Sequence, residues 1–156
     1  MYKTIGIILA SLLLLATLNS TYFFLGLRKV SIVEWIVFNA CAPSSITYLI
    51  GFILYLVRKD RMVLHVSILP MFFFGGLGLI IFPWNSYNIM AQISHILMTM
   101  SIGWVIITTI KTRDFQPAAI GMLLGIFIFS SFIGFQQNYV ATHQEDLKNI
   151  LGTELG

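Results

Sequence analysis

Asn88, Gln92, His95 and Thr99 recur at i, i+4, i+7 and i+11 along an apolar run that ends at Ile110. On a helix turning about 100° per residue they share an arc roughly 60° wide. A polar stripe on a membrane helix is costly unless it faces protein, water or a ligand. His95 is the member best suited to chemistry. Its ordinary pKa is about 6.5, and burial favours the neutral ring, which donates at one nitrogen and accepts at the other. Such a ring can contact a ligand, relay a proton, or tie two helices together.

Other chemistries find little support. Glu34 is the sole acidic residue within an apolar run, and there is no Asp pair, no HExxH and no phosphate-binding glycine loop. No catalytic residue is therefore assigned. A bis-histidine haem would need His65 and His95 at one depth, whereas the expected topology separates them by roughly 10–15 Å. Met98 and Met100 are read as packing residues. Cys41 is the only cysteine, which excludes a disulfide scaffold or a CxxC pair within one chain. No cofactor and no metal are expected.

The elements that position the stripe are spans. Of 156 residues, 58% are hydrophobic and 10% charged, against about a quarter charged in soluble domains. Apolar runs over about 4–27, 32–57, 62–82, 89–110 and 117–135 are each separated by charged or turn-forming residues, and a polar tail covers 136–156. Each run is long enough to cross a hydrocarbon core about 30 Å thick. The fold expected is an all-α integral membrane protein, a single five-transmembrane-helix bundle. Pro43 removes a backbone donor and frees the carbonyl of Asn39, which predicts a loosened turn around Asn39–Thr47. Gly75, Gly76 and Gly78 in the third run, and Gly121 and Gly125 in the fifth, allow close helix contact.

Five spans put Lys3, Arg58, Lys59, Arg61, Lys111 and Arg113 on one side and only Arg28, Lys29 and Lys148 on the other. The positive-inside rule then gives an N-in/C-out chain with a cytoplasmic N-terminus, and the plasma membrane is the expected location. The same scatter of basic residues gives no clustered face for nucleic acid. At 1.5 Å per residue, Asn19, Asn39, Gln92, His95, Ser130, Ser131 and the third-run glycines fall in the outer half.

The leading functional expectation is binding or transport of a small polar or amphiphilic ligand. Its site is a polar pocket in the outer half, lined by Asn19, Asn39, Asn88, Gln92, His95 and Thr99. A second reading is a non-catalytic subunit or assembly protein whose polar layer binds a partner subunit or a second copy. A third is an enzyme on a lipid-soluble substrate with His95 as proton shuttle.

Overall fold

The computed structural model describes residues 2–81 and 89–151, and every element in it is helical. The chain forms α1 (Tyr2–Thr21), a π-helical continuation (Tyr22–Leu27), α2 (Ile32–Phe38), α3 (Cys41–Arg58) and α4 (Arg61–Met71). A second π-helical turn (Phe72–Gly76) leads into α5 (Leu77–Ile81), followed by α6 (Ile89–Thr112), α7 (Phe115–Thr142) and α8 (Gln144–Leu151). Five stretches are long and apolar enough to cross a bilayer: Lys3–Leu27, Cys41–Arg58, Arg61–Ile80, Ile89–Thr112 and Phe115–Thr142. The shortest, of 18 residues, covers about 27 Å at 1.5 Å per residue.

The second apolar run is not one helix. It breaks at Asn39, and the carbonyl of Asn39, denied a donor by Pro43, accepts instead from the Ala42 amide at 2.9 Å. The expected disturbance therefore lies N-terminal to Pro43. From Cys41 onward the helix runs regularly, with the Ser44, Ser45 and Thr47 hydroxyls each donating to the carbonyl four residues back. The short α2 ahead of the break starts on a capping box. The Ser31 amide donates to Glu34 Oε2 at 2.7 Å, and the Glu34 amide donates to Ser31 Oγ at 3.2 Å. These bonds hold the Glu34 carboxyl below its usual range.

Pro70 acts in the same way on the third run. It withdraws the donor that the Val66 carbonyl would use, and the helix widens into its π turn two residues later. α7 seats Gly125 at that carbonyl: a Cβ there would lie 3.0 Å from Val66 O. One turn earlier, a Cβ on Gly121 would stand 2.7 Å from both the Met62 carbonyl and His65 Cβ. The glycine pair of the fifth run thus works within the chain, as the surface on which α7 meets α4.

α4 lies between α3 and α7, while α1 packs against α3 and α6. The core they enclose holds Leu13, Tyr48, Phe52, Leu64, Ile68, Met71, Met98, Ile102, Trp104 and Val105. Trp104 meets Phe52 edge-on at 5.6 Å, and its ring covers Gly6 of α1. Two tight turns close the basic end of the bundle. Lys59 and Arg113 take left-handed backbone angles there, with φ of 58° and 56°, and an Arg61–Asp114 ion pair joins one turn to the other. The half of the bundle holding these turns is called the lower half below; the upper half holds the start of α3 and α6.

Candidate functional site

In the upper half, three helical elements bring a thiol and an imidazole together. Cys41, the first residue of α3, places Sγ 3.1 Å from His95 Nε2 on α6. The same thiol donates to the Phe74 carbonyl of the π turn at 3.5 Å. Opposite, Gly78 makes room for the ring: a Cβ there would lie 2.7 Å from His95 Nε2. The stripe does face the protein interior at this level, with Gln92 and His95 exposed by only 1% and 3%. Met98, one turn below His95, is wholly buried. Its sulfur sits where a Cβ on Gly75 would come within 2.8 Å.

Against Cys41 lies a small cleft of about 20 Å³, lined by Ala16, Thr17, Ser20, Cys41, Ala42, Ser45, Ser94 and Met98. A volume of that size holds about one water molecule. A larger recess, of about 360 Å³, is bounded only by the consecutive residues Ala141 to Asp146 and is the open notch where α7 turns into α8.

The remaining expected site residues divide. Asn39 is buried, but its amide donates to Ser20 Oγ at 2.9 Å and so ties the break before α3 to α1. Thr99 is half-buried and its hydroxyl donates to the His95 carbonyl at 2.8 Å, serving its own helix. Asn19 is exposed, on the outer surface of α1, and does not line the cluster. Ser130 and Ser131 are exposed on α7 as well. Asn88 lies outside the described residues.

Comparison with family models, curated proteins and solved structures returns no match. The site's own chemistry is therefore the whole basis for a functional reading.

Two contributors escaped the sequence reading. Cys41, as a single cysteine, makes neither a disulfide nor a CxxC pair and so carries no motif. Its depth carried the missing signal: Cys41 and His95 each stand seventeen residues ahead of the last residue of their helices, Arg58 and Thr112. Two parallel spans counted back from their basic stops thus bring thiol and imidazole to one level. The second is Gln136, expected to open a polar tail. α7 instead continues through Thr142, and Gln136 is buried with its amide donating to the Val37 carbonyl at 3.0 Å. That carbonyl's ordinary donor, four residues on, lies beyond the break at Asn39.

His65, by contrast, is committed to structure. Its Nδ1 lies 2.7 Å from the Arg61 carbonyl and its Nε2 2.8 Å from Thr109 Oγ1. A carbonyl only accepts, so Nδ1 carries the proton and the ring bridges α4 to α6. Among the described residues no group of three or more His, Cys, Asp or Glu side chains is placed to hold a metal ion.

Proposed function

We propose that the chain is an integral membrane protein that binds a small ligand of ionic size at the Cys41–His95 centre, for transport or sensing. The observation that carries this reading is the 3.1 Å contact of thiol and imidazole beside a cleft of about 20 Å³. Two polarisable donors from different helices converge there. The adjoining space admits one water or one ion and excludes an organic solute. Five apolar stretches of sufficient length and the basic turns at Arg58–Arg61 and Lys111–Arg113 support insertion with those turns and the N-terminus in the cytoplasm. The upper half is then the outer half.

The binding test is thermal unfolding of the full chain in detergent micelles against a panel of metal ions and small solutes. A ligand at a hundred times its Kd stabilises the folded state by about 2.7 kcal/mol. At least one member of the panel raises Tm in the wild type, and the rise disappears in His95→Leu. If none does, and His95→Leu alone lowers Tm, the cluster is helix-packing contact and the subunit or assembly reading replaces this one. Orientation is tested by maleimide labelling of Asn149→Cys in a Cys41→Ser background. Labelling from the external side is expected; labelling from the cytoplasmic side alone inverts the topology.

A further inference from the structure

We infer that the centre takes a soft monovalent cation, Cu(I) or its redox-inert analogue Ag(I), held by Cys41 Sγ, His95 Nε2 and Met98 Sδ. This rests on the ligand-binding reading above and names the ligand's class. Cys41 and His95 are already within 3.1 Å. Met98 follows His95 by three residues on one face of α6 and lines the cleft together with Cys41. Thiolate and thioether are soft donors that suit Cu(I), and imidazole ligates copper as well, whereas calcium and magnesium require oxygen ligands. Zinc is disfavoured because it takes four ligands and a second positive charge, and no acidic side chain forms part of the cluster.

The packing around the donors is specific to them. Gly75 and Gly78, three residues apart, each lie against one of two α6 donors that are also three apart, Met98 and His95. A side chain at either glycine would occupy the space of a sulfur or a ring nitrogen. Glycine main chain therefore backs both α6 donors, and Met98 also borders the cleft that Cys41 lines.

Binding balances without a change of oxidation state. The Cys41 thiol loses its proton to solvent, a sulfur–metal bond forms, and the Cu(I) charge neutralises the thiolate, so no net charge enters the apolar bundle. His95 coordinates through Nε2 in its neutral form, protonated at Nδ1. Metal–ligand bonds of about 2.0–2.3 Å at a trigonal angle would set sulfur and nitrogen roughly 3.7 Å apart. The present 3.1 Å must open by about 0.6 Å on this estimate, and the cleft beside Cys41 supplies the room.

The experiment is anaerobic titration of the full chain in detergent micelles with Cu(I), in competition with a colorimetric chelator, repeated with Ag(I) by calorimetry. One equivalent per chain is expected. Cys41→Ser should weaken binding at least a hundredfold, and His95→Gln and Met98→Leu at least tenfold each. The ultraviolet thiolate-to-Cu(I) charge-transfer band of the wild type reports sulfur ligation even if Cys41→Ser does not fold. No stoichiometric binding, equal affinity in all variants, or no charge-transfer band overturns the inference. If Cu(I) and Ag(I) fail while another member of the panel gives a His95-dependent rise in Tm, the soft-cation assignment falls and the binding reading stands. If nothing binds, both fall.

Discussion

The two ends of α6 carry the same kind of contact put to opposite uses. At the lower end His65 reaches across to Thr109, with one ring nitrogen on the Arg61 carbonyl and the other on a hydroxyl. The Arg61–Asp114 pair closes the turns nearby, and α7 covers the site through Gly121. At the upper end His95 packs on Gly78 and meets a thiol instead, and that thiol borders a water-sized cleft. The hydroxyl and carbonyl at the lower end are hard oxygen partners that satisfy the ring and have no preference for soft cations. A thiol is a weak hydrogen-bond partner and a strong ligand for soft cations. Burial alone therefore does not distinguish a structural histidine from a ligand-binding one; the chemistry of its partner does.

The largest effect should come from breaking the lower region's cover. Gly121→Val would drive a side chain onto the Met62 carbonyl and His65 Cβ, both 2.7 Å from the Cβ position. Main chain cannot yield as a side-chain tip can, so a loss of roughly 1–3 kcal/mol is expected. Thermal unfolding in micelles should show it as a lowered Tm. An unchanged Tm would mean α7 does not dock on α4 as described.

Exchanging the roles of the histidines is the next most informative change. His65→Leu removes the α4–α6 bridge, with the Thr109 hydroxyl left only its bond to the Val105 carbonyl, at about 1 kcal/mol, while Cu(I) affinity stays within twofold. His95→Leu should do the reverse, abolishing measurable Cu(I) binding with a smaller fall in Tm. Equal effects of both variants on both readouts would erase the distinction between the two ends.

A subtler change sharpens it. Gly78→Ala puts a methyl group 2.7 Å from the present position of His95 Nε2 and must displace the ring. Cu(I) affinity should fall about tenfold, near 1.4 kcal/mol, with little change in Tm. Affinity equal to wild type would show that the ring has freedom the packing does not suggest.

The smallest expected effect lies outside both regions, at the capping box before α2. Bonds from Ser31 lower the Glu34 pKa, so the carboxylate's contribution is full above the ordinary carboxylate range and is lost as pH falls through the depressed value. Amide exchange at Ser31 and Glu34 should accelerate on that acid limb in the wild type. Glu34→Gln should show no such limb, with overall Tm essentially unaltered.

Much of the architecture was legible in the chain itself. Span lengths follow from bilayer-scale apolar runs, and the basic stops Arg58–Lys59 and Lys111 mark helix ends within a residue or two. Pro43 announced a backbone disturbance because a missing donor has a fixed address four residues earlier. The inward face of Gln92 and His95 followed from helical periodicity. What periodicity cannot supply is the azimuth of one helix against another. Asn19 shares its turn with Ser20, yet Ser20 meets Asn39 while Asn19 is exposed. Gln136 reads as the start of a tail, until the break at Asn39 leaves a carbonyl for it to take. Cys41, alone in the sequence, gains its meaning from His95, fifty-four positions away. Composition and spacing determined the five apolar stretches long enough to cross a bilayer and the shared face of Gln92 and His95. Only packing decided which donors meet, because a contact between helices depends on the rotation and register of both.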